Sequence, residues 1–223
     1  MSSYSEGQTH QLMESLQDNK WPAGDITKLG QAKPEQHQGI RDVLNGQAVI
    51  TYPDCVWREQ DGVSYFSVTS DGKTGPEWIV HLEAKGDRVS DYAKSLLCSS
   101  NFQPTSGVTY NIAVLQGKLF NDRNRITKKI LKSAKERQLT TPNAEVACLI
   151  RDKFTDQEIE AMGLVWIITM HESIKDSDGD PRLLCVNRFS DGRWLSALYG
   201  NPDHGWNRDY GFAFVASQVS PQS

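Results

Sequence analysis

The chain has 223 residues, 38% hydrophobic, 23% charged and 9% aromatic, with a formal charge of -4. These values lie in ordinary globular ranges and exclude disordered, collagenous, low-complexity and coiled-coil chains. Twenty-four basic against 28 acidic residues give no clear nucleic-acid signature, although a local basic patch escapes such a count.

The longest apolar run, residues 164–168, is far short of the ~20 residues of a membrane span, and the first residues lack the pattern of a signal peptide. The expectation is a soluble cytoplasmic chain of one to two domains, at roughly 150 residues each. Cys55, Cys98, Cys148 and Cys185 form no CxxC pair, which suits buried thiols in a reducing compartment.

Residues 1–50 are read as a helical N-terminal region. His10, Leu12, Met13 and Leu16 form one apolar stripe, Ile40, Val43 and Leu44 another, and Pro22-Ala-Gly24 and residues 30–34 break the run. So short a segment buries little alone and calls for a docking partner. Residues 51–104 are expected to hold a hairpin and short helices. Tyr52, Val56, Trp57, Val63, Tyr65, Phe66 and Val68 are bounded by Asp61-Gly62 and Asp71-Gly72, a hairpin signature. Thr74-Gly-Pro-Glu77 is a capping box that opens a helix to about Lys85, and a second short helix is predicted over 89–98.

From residue 105 the signals sharpen. Val108, Tyr110, Ile112, Val114 and Leu115 mark a strand. Residues 125–139 carry Ile126, Ile130, Leu131 and Ala134 on one helical face, and Thr141-Pro142 opens a second helix. Thr155-Asp-Gln-Glu158 is another capping box, and Gly163 is a natural stop. Strands are predicted over 165–169, 182–186, 193–199 and 212–216. A strand, two helices and a run of antiparallel strands make an α+β texture.

Three groupings invite chemistry. Asp54 with Glu83 and Lys85 superficially matches a metal-nuclease pattern, but the capping box puts Glu83 and Lys85 on a helix, where residues two apart diverge. Asp176, Asp178 and Asp180 with Gly179 offer the oxygens of a calcium loop, or a plain Asp-Gly turn. His171-Glu172 pairs a base with a carboxylate, without a nucleophile at recognisable spacing. There is no P-loop, nucleotide-binding glycine motif, nucleophile elbow or His-Glu-x-x-His pair. No catalytic residue, resident metal or cofactor is therefore assigned.

The segment from Asp191 to Val215 concentrates Trp, Tyr, Arg, Asn, Asp and His, the composition of recognition surfaces. Its Gly-Arg-Trp194, Asn-Pro202 and Trp206-Asn-Arg-Asp-Tyr-Gly-Phe-Ala-Phe214 resemble the ending of variable proteins from diversity-generating retroelements, which have the C-type lectin fold of the formylglycine-generating-enzyme type. Residues 107–110, 142–150, 159–163 and 176–180 also resemble uncharacterised proteins of candidate-phylum bacteria. The resemblance implies a C-type lectin-like ligand-binding domain over 105–223, with Trp194 and Gly211-Phe212 as scaffold anchors. Arg193, Leu195, Ala197, Tyr199, Asn201, His204, Trp206, Asn207, Arg208 and Tyr210 then form the ligand-binding set. The close cysteine pair of the formylglycine oxidases is missing, so their activity is not carried over.

The expectation is a non-catalytic, receptor-like protein for a protein or other macromolecular ligand. The alternatives are a metal-dependent hydrolase or nuclease using Asp54, Glu83, Lys85 or His171, and an assembly module docking through its N-terminal helices.

Overall fold

Ser5 begins the first helix with a reciprocal cap: its hydroxyl accepts the Gln8 N–H at 3.2 Å, and the Gln8 side chain accepts the Ser5 N–H at 3.0 Å. Helices α1 (Glu6–Asp18), α2 (Ala23–Gly30) and α3 (Pro34–Leu44) follow in this computed structural model, which describes residues 5–45, 47, 56–189 and 192–216. Tyr52, Asp54, Cys55 and Asp191 lie outside the described residues. Contacts divide the chain into two units, residues 1–54 and 55–223. In the first unit α1 and α2 bury no residue, and Leu12, Met13, Trp21, Ile40 and Leu44 are exposed.

In the second unit β1 (Arg58–Gln60) and β2 (Val63–Asp71) form an antiparallel hairpin. Asp61 and Gly62 both take positive φ, 52° and 74°, the handedness a tight turn between right-twisted strands requires. The predicted capping box then opens α4 (Gly75–Ala84), with the Glu77 carboxylate accepting the Thr74 N–H at 2.8 Å. Next come β3 (Arg88–Val89), α5 (Asp91–Leu97), β4 (Ser106–Gln116), α6 (Thr127–Glu136), β5 (Leu139–Thr140) and α7 (Val146–Lys153). The second capping box opens α8 (Asp156–Ala161), where Thr155 Oγ1 accepts the Glu158 N–H at 3.2 Å. Strands β6 (Trp166–Thr169), β7 (Ile174–Lys175), β8 (Pro181–Phe189), β9 (Gly192–Tyr199) and β10 (Tyr210–Ala216) complete the unit.

The strands form one mixed sheet in the order β1-β2-β4-β10-β6-β8-β9-β3, with β5 beside β10 and β7 beside β8. The α+β reading stands at this level, and no helix among the described residues is long and apolar enough to cross a membrane. The terminal strands are not the antiparallel run expected, because β10 inserts parallel to β6 and antiparallel to β4. The boundary expected near residue 105 falls inside this sheet, where β2 pairs with β4 and β3 with β9 across it. Proline 142 does not open a helix either; α7 starts at Val146.

Alternation along the strands feeds two cores, one on each face. Phe66, Val68, Ile112, Val114, Ile167, Leu184, Val186, Leu195 and Ala213 pack with Trp78, Leu82, Leu96, Leu97, Ile150, Phe154 and Ile159 of the α4, α5, α7 and α8 side. Val63, Ala113, Leu115, Ile168, Met170, Leu183, Cys185, Phe212 and Phe214 face the other way, against Ile130 and Ala134 of α6 and Trp206. The candidate site lies on this second face, beside the core that α6 helps to form.

Candidate functional site

Pairing register gathers the site. Tyr210 of β10 stands opposite Trp166 of β6, Trp166 opposite Asn187 of β8, Asn187 opposite Trp194 of β9, and Trp194 opposite Arg88 of β3. Directly paired residues point to the same side of a sheet, so these five side chains form one row across five strands. Trp166 and Tyr210 pack on the second core, whereas Leu195, next to Trp194, enters the first. The row therefore lies on the α6 face.

Each end of the row is braced. The Trp166 and Tyr210 rings stack with centroids 5.5 Å apart and planes at 28°. Phe189, 49% exposed, meets Trp166 edge-on at 5.3 Å. The Arg88 guanidinium lies 5.3 Å from the Trp194 ring centre, a cation–π contact. Asn207 Nδ2 donates to the Tyr210 hydroxyl at 3.1 Å, and burial raises the pKa of that phenol.

Asn187 sits in the middle, 0% exposed. Neither its carboxamide oxygen nor its nitrogen has a hydrogen-bond partner. A buried polar group left in this state costs about 1–3 kcal/mol. Stacking rings, an amide with unused donor and acceptor, and a braced guanidinium can hold a planar polar ligand.

The predicted ligand-binding residues do not all belong to one surface. Tyr199, Asn201, Asn207 and Arg208 are exposed and His204 and Tyr210 half-buried, as display positions need. Leu195 and Ala197 are corrected, because strand alternation turns them into the helix-side core, at 0% and 7% exposure. Trp206 is a core plug, with Nε1 donating to Thr127 Oγ1 at 3.0 Å. Arg193 serves the fold: it donates to the carbonyls of Arg151 and Phe154 at 3.1 and 3.2 Å, and its Nε lies 2.9 Å from the Asp87 carboxylate. Sequence reading missed Trp166, Asn187, Phe189 and Arg88 as a group and placed Trp194 only in the scaffold. One available signal was Asn187 itself, a polar residue in the alternation Leu183, Cys185, Asn187, Phe189.

The other predicted chemistry resolves into structural roles. Glu83 pairs with Lys94 at 2.7 Å and Lys85 with Asp152 at 2.6 Å, so the two do not converge on one site. His171 is buried, its Nδ1 2.7 Å from the Glu172 carbonyl and its Nε2 accepting the Leu184 N–H at 2.8 Å. With both nitrogens engaged and its pKa lowered to about 4 by burial, it is a neutral framework residue.

The calcium reading of Asp176, Asp178 and Asp180 is also corrected. Asp176 Oδ1 accepts the N–H groups of Asp178 and Asp180 at 2.9 Å each, and Oδ2 accepts Arg182 Nε at 2.6 Å. The loop is a turn joining β7 to β8. Among the described residues no group of three or more His, Cys, Asp or Glu side chains is placed to hold a metal ion.

Comparison with protein-family models, with curated proteins and with solved structures finds no match to this chain.

Proposed function

We propose that the protein is a non-catalytic ligand-binding protein whose recognition surface is the row Tyr210–Trp166–Asn187–Trp194–Arg88. The unpartnered carboxamide at the centre of a braced aromatic row is the observation that carries this reading. Aromatic anchors around a buried polar group are the usual make-up of a binding hot spot. The groups of the row stack and hydrogen-bond, functions of holding a ligand.

Protein-observed NMR with fragments of varied chemistry tests it through the indole N–H signals of Trp166 and Trp194 and the Asn187 carboxamide. Fragments that shift these three signals together support it. A varied library that leaves all three unmoved overturns it.

The finer reading, a C-type lectin-like scaffold with a diversified terminal segment, draws support from Gly211 and Phe212. A Cβ on Gly211 would come within 2.5 Å of the Val114 side chain, and Phe212 is wholly buried, so both serve as fixed anchors. Sequencing codons 193–210 across the source population tests it. Substitutions at 199, 201, 207 and 208 but not at 195 and 197, beside a template repeat and a reverse transcriptase gene, are expected. A uniform segment with no template repeat removes diversification from the account.

Assembly through the first unit is a second reading, favoured by the exposed Leu12, Met13, Trp21, Ile40 and Leu44. Deleting residues 1–50 should then lower the oligomeric state in solution; an unchanged state argues against it.

A further inference from the structure

Resting on the ligand-binding reading above, we infer that Trp166 and Trp194 form the two walls of a slot for a nucleobase, with Asn187 as the floor that meets the edge of the base.

The geometry argues for a slot. Trp166 and Trp194 are each directly opposite Asn187 from the strands on its two sides. They are thus two strand spacings apart, about 9.5 Å along the hydrogen-bonding direction. A planar ring in face contact with two others needs about 7–8 Å between the outer planes, twice the optimal carbon–carbon separation. Two indoles rising side by side from those strands would accommodate one ring, inserted edge-first toward the sheet.

Both walls are supported from outside. Tyr210 stacks on Trp166, and Arg88 lies over Trp194. The register places these braces on the sides away from Asn187. Sequence-tolerant stacking between aromatic side chains is how unpaired bases are held.

The floor favours a ligand with a planar polar edge. A carboxamide offers one acceptor and one donor side by side, and pairs with a base edge that carries a donor beside an acceptor, such as the N6 amino group and adjacent ring nitrogen of adenine. Both atoms of Asn187 are unpartnered, so a base edge would satisfy them together. A sugar ring or an aliphatic ligand would use the walls but has no planar donor–acceptor edge for the floor. Asn187 is 0% exposed, so a base reaches it only when the side chains covering it move aside.

The full chain is titrated with AMP, CMP, GMP, UMP, N6,N6-dimethyl-AMP and ribose 5-phosphate, following tryptophan fluorescence, and with a short oligoadenylate. AMP should bind at least about tenfold more tightly than ribose 5-phosphate. N6 dimethylation should weaken binding by roughly tenfold or more, because the donor is lost, and Asn187→Leu should weaken AMP by a similar factor while retaining the near-ultraviolet circular dichroism of the fold. The methylated ligand keeps the test valid if the variant fails to fold.

Tighter binding of oligoadenylate than of AMP identifies an exposed base in a single strand as the source; equal or weaker binding identifies the free nucleotide. Binding of ribose 5-phosphate as tight as that of AMP overturns the inference, as does AMP affinity unchanged by N6 dimethylation. If no nucleotide binds while other fragments shift the Trp166, Trp194 and Asn187 signals, the nucleobase falls and the ligand-binding reading stands.

Discussion

His171 Nε2 accepts the backbone N–H of Leu184 at 2.8 Å, pinning the β6–β7 connection to the middle of β8. An acceptor nitrogen cannot also be protonated, and burial already holds the pKa at about 4, against 6.5 for the free ring. Below about pH 6.5 the unfolded chain takes up a proton that the folded ring refuses. The His171 contribution is fully present above pH 6.5 and declines as pH falls toward 4, by about 3 kcal/mol in all. Urea unfolding at pH 7 and 4.5 should show a smaller pH-dependent loss for His171→Gln than for the wild type. Equal losses would refute the assignment.

Asp87 is wholly buried with Arg151, whose Nε is 3.5 Å from the same carboxylate oxygen that Arg193 Nε approaches at 2.9 Å. Arg151 also reaches Asp156 at 3.0 Å. Burial pushes the Asp87 pKa up, opposed by Arg193 and Arg151. Removing the carboxylate leaves two guanidinium groups without their shared counter-charge. Asp87→Ala should therefore lower unfolding free energy by about 3–5 kcal/mol, measured as a drop in the urea midpoint. A drop under about 1 kcal/mol would show that the cluster does not hold these elements together.

Gly75 begins α4 against the end of α5. A Cβ there would lie 1.8 Å from the Leu97 carbonyl oxygen and 2.5 Å from its carbon. Backbone cannot swing away as a flexible side chain can, so Gly75→Ala must displace one helix. A fall in thermal midpoint of many degrees is expected, equivalent to about 3 kcal/mol or more. Near-wild-type melting would contradict the close approach.

Asn187→Leu should act oppositely on stability. Replacing an unpartnered amide by an apolar group of similar volume removes a cost of about 1–3 kcal/mol. The melting temperature should rise, or at least not fall, although the same substitution is expected to weaken binding of the base. Marked destabilisation would mean that the carboxamide has a structural partner.

Calcium should leave the protein unmoved. Both carboxylate oxygens of Asp176 are occupied by N–H donors from its own loop and by Arg182. Arg182 is also held between the rings of Tyr92 and Tyr199, 4.2 and 3.7 Å from their centres. Millimolar Ca²⁺ or a chelator should not change the melting temperature; a shift of several degrees with calcium would restore the metal reading.

Local signals in the sequence are legible where neighbouring residues decide the structure. The two capping boxes at Thr74 and Thr155, the Asp61-Gly62 turn and the alternation of β4, β8 and β9 each rest on residues within a few positions of one another. The insertion of β10 between β4 and β6 was not legible, because strand order is set by how two apolar faces are covered. The site was hidden for the same reason. Trp166, Asn187, Trp194 and Tyr210 come from four strands and meet only through register. Reading residues 193–210 as one contiguous display surface overlooked the period of two, which sends Leu195 and Ala197 to the opposite face from Trp194.

The place of β10 also bears on how the protein is made. Residues 210–216 fill the gap between β4 and β6, so the sheet cannot close until translation has passed Ala216. Until then both neighbours present unsatisfied strand edges, and Phe212 and Phe214 are missing from the core. Chains released before that point should be captured by chaperones or aggregate.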